Sequence, residues 1–289
     1  MIIDFHVHIF PPHIKADRSP YLARDSGFRS LYQSPRARIA TVEELIVSMD
    51  SAGIDVSVVQ GFAWSSQELC VETNDYIQDA AARYPKRLIP FCTVQPLAGT
   101  QALEEVRRRA TSANPCRGLG EMRPDDQGYG GDDWKALEPL YELSMRHRLL
   151  LLVHGSEPVG HLYPGKGRMT PDVLYRLALA YPEWPMVLAH LGGGLPFYAA
   201  MPEVRKALAN VYVDTAAWPL LYAPEVFPAV ADLFGPERVL FASDYPVMDQ
   251  TRALEGISKL SLPSETLRGI LGGNAERLLG FATRLVPHG

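Results

Sequence analysis

Two histidines near the amino terminus have the spacing of metal ligands on a β-strand. His6 and His8 stand two positions apart in the apolar run 2–10. Because residues two apart on a strand share a face, both imidazoles point the same way, with Asp4 on the same face. Two imidazoles placed in this way can bind one metal ion. Two packed or solvated histidines are the alternative explanation of the pair when it is taken alone.

Further ionisable residues stand at the ends of other apolar runs. They are Glu121, His154, His190 and Asp244. Burying such groups costs several kcal/mol per charge unless they are paired or bind a metal. The shared position therefore favours one common site over a set of unrelated core residues.

Eight short apolar runs alternate with amphipathic stretches along the chain. The runs cover residues 2–10, 56–62, 88–94, 118–122, 149–154, 186–191, 211–215 and 239–242. Continuous apolar runs are typical of parallel strands that are covered on both faces. The intervening patterns predict helices, including 74–83, 100–113, 196–208, 224–234, 250–258 and 264–279, and a T-x-x-E capping box at Thr41 and Glu44. We therefore predict an α/β fold, a (β/α)₈ TIM barrel formed by one domain over residues 1–289.

The alternative fold is a doubly wound open sheet. A glycine-rich phosphate loop would then be expected after the first strand, and residues 11–40 do not carry one. In a barrel, catalytic groups gather at the carboxyl ends of the strands. The histidines and carboxylates at the ends of the runs fit that rule.

Imidazole and carboxylate ligands suit a divalent metal ion. Zn²⁺ is the first choice, with Mn²⁺ or Fe²⁺ as alternatives and one or two ions per chain. A bound metal lowers the pKa of water to about 7 and so makes hydroxide at neutral pH. A neighbouring carboxylate can then accept and pass on the proton, and Asp244 is the candidate for this role.

The same segments resemble the amidohydrolase superfamily, and more closely its amidohydrolase-related branch, which contains enzymes like aminocarboxymuconate semialdehyde decarboxylase. The matching segments are IDFHVH at 3–8, LVH at 152–154, AHLGG at 189–193, SDYP at 243–246 and GGNAERLL at 272–279. The resemblance implies a metal-binding (β/α)₈ barrel. It implies that His6, His8, His154 and Asp244 are ligands and that His190 is a catalytic acid or base.

Glu121 directs the functional expectation. In hydrolytic relatives a carboxylate on the fourth strand can join the metal site, whereas decarboxylase-like members generally lack it. We therefore expect a hydrolase that cleaves an amide, ester or lactone-type bond of a small, carboxylated substrate. The alternative is a metal-dependent decarboxylase or hydratase of an unsaturated or aromatic carboxylic acid. If Glu121 is not a metal ligand, it would orient a histidine. A third hypothesis for the whole protein is a barrel without enzymatic activity.

Substrate contacts are predicted from the loops that follow the strands. Arg123 can pair with a substrate carboxylate, Trp64 and Trp218 can form an aromatic wall, and His161 lies in a loop where specificity residues are common. The long loop 11–40 resembles a lid, and loop 122–133 is the other long one. His13, His147 and His288 are interpreted as non-functional histidines.

Composition limits the other classes of partner. The formal charge of −5 argues against a nucleic-acid surface. The apolar run 149–153 is far shorter than the roughly 18 residues of a membrane span. Cys70, Cys92 and Cys116 form no C-x-x-C pair, which favours a reducing, cytoplasmic location. The expected partner is a small-molecule substrate, and a homodimer is the default assembly.

Overall fold

The computed structural model describes residues 1–131 and 133–283, so His288 lies outside the described residues. Eight parallel strands form its centre. They are β1 (Ile3–His8), β2 (Val56–Gln60), β3 (Leu88–Pro90), β4 (Gly118–Met122), β5 (Leu150–Val153), β6 (Met186–Leu188), β7 (Val211–Asp214) and β8 (Val239–Leu240). All eight lie within the apolar runs of the sequence. Several are shorter than their runs, because the last residues of those runs leave the sheet to build the site.

The strands close into a ring in sequence order. One sheet has the order β1–β2–β3 and the other β4–β5–β6–β7–β8. Single bridges join the two sheets, Cys92 with Leu119 on one side and Val7 with Tyr245 on the other. The Phe5 amide also donates to the Phe241 carbonyl at 2.9 Å. This closure, which leaves no open edge, confirms the predicted (β/α)₈ barrel and excludes an open sheet.

Helices cover the outside of the barrel and fill its loops. They are α1 (Pro12–Ala16), α2 (Ser19–Arg24), α3 (Ser26–Tyr32), α4 (Val42–Ala52), α5 (Gln67–Arg83), α6 (Thr100–Ala110), α7 (Pro124–Gln127), α8 (Glu138–His147), α9 (Pro171–Ala180), α10 (Ala189–Gly192), α11 (Pro202–Ala207), α12 (Trp218–Leu221), α13 (Val226–Phe234), α14 (Gln250–Ser258), α15 (Ser264–Arg268) and α16 (Asn274–Thr283). The capping box before α4 is present, because the Thr41 amide donates to Glu44 Oε2 at 2.9 Å. Among the described residues no helix is long and apolar enough to cross a membrane.

The predicted helix 196–208 is wrong as one continuous element. A 3₁₀ turn covers Leu195–Ala200, Met201 is extended, and α11 begins at Pro202. Proline has no amide hydrogen and its ring clashes with the preceding turn, so Pro202 starts a helix more readily than it continues one.

The long segment after β1 is folded rather than irregular. We call residues 11–40 the lid. It contains α1, α2 and α3, and Asp25 caps α3 by accepting the Phe28 amide at 2.7 Å. The other Asp25 oxygen accepts the Ser65 amide at 2.8 Å, which ties the lid to the segment after β2. The lid is therefore held over the same barrel end as the carboxyl ends of the strands.

Candidate active site

The carboxyl ends of the strands bring the predicted residues to one end of the barrel. His6 and His8 lie on β1 and Glu121 on β4, whereas His154, His190 and Asp244 follow β5, β6 and β8. None of the six is more than 8% exposed. All except His6 line a cavity of about 480 Å³ that is also lined by residues of the lid. This is the common site that the sequence predicted.

Donor atoms of His6, His8 and Asp244 converge on one point at the base of this cavity, and Glu121 lies beside them. His6 Nε2 and His8 Nε2 are 3.0 Å apart. Glu121 Oε2 lies 3.8 and 3.6 Å from these two nitrogens, and Asp244 Oδ1 lies 3.8 and 3.7 Å from them. Ligands about 2.1 Å from a tetrahedral or octahedral metal are separated by roughly 3.0–3.6 Å. The observed separations are close to this range.

Hydrogen bonds decide which imidazole nitrogens face that point. His6 donates its Nδ1 hydrogen to Asp214 Oδ2 at 2.9 Å, and His8 donates its own to the Gly61 carbonyl at 3.0 Å. On a neutral ring each Nε2 therefore carries the lone pair. Two such nitrogens 3.0 Å apart need either a shared proton or a cation beside them, and the raised pKa of His6 reflects the protonated form of this arrangement. The donor set thus fits a divalent metal ion.

Glu121 connects this group to a second one. Its Oε1 lies 2.8 Å from His154 Nδ1 and 3.6 Å from His190 Nε2. Arg123 NH1 is also 3.0 Å from His154 Nδ1. The resemblance to known enzymes placed His154 beside His6, His8 and Asp244. In the structure His154 Nδ1 contacts the far oxygen of Glu121, and these two residues form a second candidate ligand group with His190.

Burial and neighbouring charges shift the pKa values in opposite directions. Burial and the nearby His6 lower the pKa of His8 to about 4, which keeps its imidazole neutral. Burial also opposes the charged form of His6 and His190, but nearby carboxylates outweigh it and raise their pKa values to about 10 and about 9. Burial raises the pKa of Asp244 to about 6. Groups with separated pKa values in one cleft are typical of acid–base catalysis.

A family model described as amidohydrolase matches residues 3–281 of the chain. The chain belongs to this amidohydrolase family. A relative named 6-methylsalicylic acid decarboxylase, from Penicillium expansum, is 26% identical, and the match covers 96% of this chain and 95% of the relative.

Solved structures with this fold include further decarboxylases. The 5-carboxyvanillate decarboxylase of Sphingomonas paucimobilis has a TM-score of 0.79 at 19% identity, with 96% of this chain and 98% of that chain covered. The dihydroxybenzoic acid decarboxylase of Polaromonas sp. JS666, with bound manganese, has a TM-score of 0.72 at 17% identity, with 96% of each chain covered.

These relatives contradict the expectation of hydrolysis. They are named as decarboxylases of aromatic acids, which agrees with the alternative reaction. The expectation depends on Glu121, because a carboxylate on the fourth strand can join the metal site in hydrolytic relatives. In this amidohydrolase Glu121 bonds to His154, and a carboxylate that orients a histidine is compatible with either reaction. A polar cluster at the strand ends therefore does not by itself choose the reaction.

Two buried aspartates support the site: the sequence reasoning missed Asp214 and gave Asp4 no role beyond its place on the face of His6 and His8. Asp214 ends β7, holds His6, and accepts the His190 amide at 3.0 Å. Asp4 accepts the Ser243 amide at 2.9 Å and the Ser243 hydroxyl at 2.6 Å, next to Asp244. His190 and Asp244 both have positive φ angles, 56° and 67°, which cost energy outside glycine. Asp214 bonds directly to the His190 amide, and Asp4 fixes Ser243, the neighbour of Asp244.

Asp214 was predictable, because it ends an apolar run in the same way as His154. The role of Asp4 required the fold, since its partner Ser243 is 239 residues away. A glycine of the AHLGG segment also has a packing reason. Gly193 has a φ of 60°, and a Cβ there would clash with the Ser156 carbonyl.

The three residues predicted to contact the substrate lie in three different places relative to the cavity. Arg123 is buried in the cavity wall, where its Nε donates to Asp126 Oδ2 at 2.6 Å and its NH2 to the Gly165 carbonyl at 2.9 Å. His161 lines the cavity at its exposed rim, 5.6 Å from the Tyr163 ring centroid. Trp64 does not line the cavity, so the prediction that it forms an aromatic wall there is wrong.

Trp64 lies away from the cavity because of the direction that the chain takes after β2. Trp64 packs against Phe28 with ring centroids 4.6 Å apart, and its indole donates to Thr73 Oγ1 at 3.2 Å. Phe62, two residues earlier, is the cavity-lining aromatic. Trp218 is likewise buried behind the cavity, whose wall at α12 is formed by Leu220 and Leu221.

Proposed function

We propose that this amidohydrolase is a metal-dependent decarboxylase of an aromatic carboxylic acid that carries a ring hydroxyl. The observation that carries the proposal is the set of converging donor atoms of His6, His8, Glu121 and Asp244 at the base of a cavity with apolar walls. The names of the relatives give the substrate class. 6-Methylsalicylic acid and dihydroxybenzoic acid are both hydroxylated aromatic acids.

The bound metal would be Mn²⁺, with Zn²⁺ as the second choice and one ion per chain. Two imidazole nitrogens and two carboxylate oxygens form a mixed donor set that accepts either ion. Manganese is the metal bound in the Polaromonas relative. When bound, the metal would supply positive charge that attracts and orients an anionic oxygen of the substrate.

The protein's own side chains orient the acid and move the proton. Arg123 is buried at the cavity wall, and its guanidinium can pair with the substrate carboxylate. Asp244 also lines the cavity and would carry the proton that the ring carbon receives. Apolar residues such as Phe62 and Leu221 would cover the aromatic ring and exclude water.

The proposed reaction replaces the carboxylate of the aromatic ring with a proton. The Asp244 carboxyl gives its proton to the ring carbon that bears the carboxylate. The bond between that carbon and the carboxylate then breaks, its electron pair restores the aromatic ring, and CO₂ leaves. A proton from solvent returns to Asp244. No water is added to the product.

The test measures CO₂ and phenolic product from the metal-loaded enzyme with 6-methylsalicylic, 2,6-dihydroxybenzoic and 5-carboxyvanillic acids. In D₂O we expect one deuterium at the vacated ring position. Asp244→Asn should lower the rate by about 10²–10⁴-fold, and its bound metal should be quantified in parallel. Asp232→Asn, an exposed aspartate on α13, is the control. Absence of CO₂ from every acid in the panel would refute the proposal.

A further inference from the structure

The lid contributes one buried polar side chain to the cavity. Tyr32 lines the cavity and is 5% exposed. Its ring packs against Phe28, with centroids 4.6 Å apart, and against Phe10 and Phe62 at 5.4 and 6.1 Å. These three aromatic contacts fix the ring of Tyr32, so its hydroxyl has a defined position.

The Tyr32 hydroxyl has no protein hydrogen-bond partner among the described residues, where Arg18 donates only to the Tyr32 backbone carbonyl. The ring is buried, but the hydroxyl oxygen opens onto the cavity. Charges at the site reach this hydroxyl, since Asp244, Arg123 and Glu121 all influence its ionisation. Burial raises the pKa of the phenol well above its usual range, so the hydroxyl remains a hydrogen-bond donor. The missing partner must therefore come from what enters the cavity.

We propose that Tyr32 is a specificity-determining residue that donates a hydrogen bond to the ring oxygen of the bound aromatic acid. The inference rests on the proposed function for the class of ligand. Arg123 lies on the barrel side of the cavity, where it can hold the carboxylate, whereas Tyr32 reaches in from the lid. Leu31 and Phe62 beside Tyr32 are apolar, so they offer the ring oxygen no competing donor.

Two other cavity-lining lid residues do not fill this role. Arg36 and Arg38 are exposed at the rim, and the Arg38 guanidinium lies 5.9 Å from the centroid of the Tyr245 ring. A flexible, solvated guanidinium must be ordered before it can hold a ligand, whereas the Tyr32 hydroxyl is already positioned by the packing of its ring. Discrimination between acids with and without a ring oxygen is therefore assigned to Tyr32.

The experiment compares two ligands that differ only in the ring hydroxyl. Dissociation constants of salicylate and benzoate are measured by calorimetry with the Mn²⁺-loaded enzyme and with Tyr32→Phe, which keeps the packed ring. We expect the variant to bind salicylate about tenfold more weakly and benzoate within about twofold of wild type. Its thermal unfolding midpoint should not change.

Tyr21→Phe is the matched control, because Tyr21 lies in the same aromatic cluster but its hydroxyl donates to Glu72 Oε1 at 2.6 Å. It should leave both constants unchanged. Equal weakening of salicylate and benzoate by Tyr32→Phe, or no weakening of either, would overturn the inference. Binding needs no turnover, so this outcome is separate from a failure to release CO₂, which would refute the proposed reaction instead.

Discussion

The base of the cavity and the lid above it differ in how their polar side chains are bonded. At the base, the ring nitrogens of His6 and His8 that face away from the site are bonded to Asp214 and to the Gly61 carbonyl. In the lid, the Tyr32 hydroxyl and the exposed Arg36 and Arg38 face the cavity or solvent. The barrel therefore fixes the position of the reacting groups, whereas the lid leaves donors open for a ligand. Chemistry on strand ends and recognition on loops is the usual division in this fold.

The largest effect should come from removing the two imidazoles at the base. His6→Ala/His8→Ala should lose the bound metal and lower CO₂ release by about 10³-fold or more, since the metal is worth several kcal/mol to the reaction. Elemental mass spectrometry of the purified protein measures the metal. His13→Ala/His147→Ala, which removes two histidines outside the cavity, should retain one metal per chain. Full metal content in His6→Ala/His8→Ala would show that the base of the cavity does not hold the metal.

A smaller effect should follow from changing the support of His6. In Asp214→Asn the new amide group would donate toward His6 Nδ1, where the carboxylate accepts at 2.9 Å. The His6 proton would then move to Nε2, and that nitrogen would no longer be a ligand. Loss of such a support typically weakens metal binding about 10–100-fold.

The measurement for Asp214→Asn is the Mn²⁺ dissociation constant from competition with a chelator. Asp172→Asn, an exposed carboxylate on α9 that pairs with Arg176, is the control and should bind Mn²⁺ like wild type. An unchanged constant for Asp214→Asn would show that the base of the cavity does not need this support. The difference between base and lid would then be smaller than the hydrogen bonds indicate.

The smallest effect is expected at the rim. His161 is exposed and contacts Tyr163 through its ring. Surface substitutions usually change free energies by no more than about 0.5 kcal/mol, or about twofold. His161→Ala should therefore change KM for the aromatic acid by about twofold or less and leave kcat unaltered. Steady-state kinetics of His161→Ala and Tyr32→Phe, measured in parallel, test this. A tenfold rise in KM for His161→Ala would show that the rim also contributes to substrate recognition.

Much of the barrel and its site was predictable because both follow local patterns. Strand ends such as those before His154 and His190 are visible as the ends of apolar runs, and barrel closure brings all strand ends together. Asp214 obeys the same rule, since it is the polar residue near the end of the run 211–215. The direction of Trp64 was not predictable, since it depends on how the chain turns after β2 and packs against Phe28.

The local sequence pattern also did not determine which reaction the enzyme catalyses. Imidazoles, carboxylates and a metal can activate water or can hold an acid for decarboxylation, so the same residues are compatible with both. Glu121 illustrates the limit. Its place on β4 was correct, but only the fold showed that one oxygen faces His8 at 3.6 Å and the other His154 at 2.8 Å.

The sequence by itself determined the eight strands, their order in the barrel and the ionisable residues at their ends, because hydrophobic periodicity and position along the chain carry that information. The tertiary structure decided which atoms face one another. It paired Asp4 with Ser243 and Asp214 with His6, directed the two oxygens of Glu121 to different histidines, and brought Tyr32 from the lid over the site. These contacts join residues far apart in the chain, and side-chain direction at such contacts is set by packing rather than by local sequence.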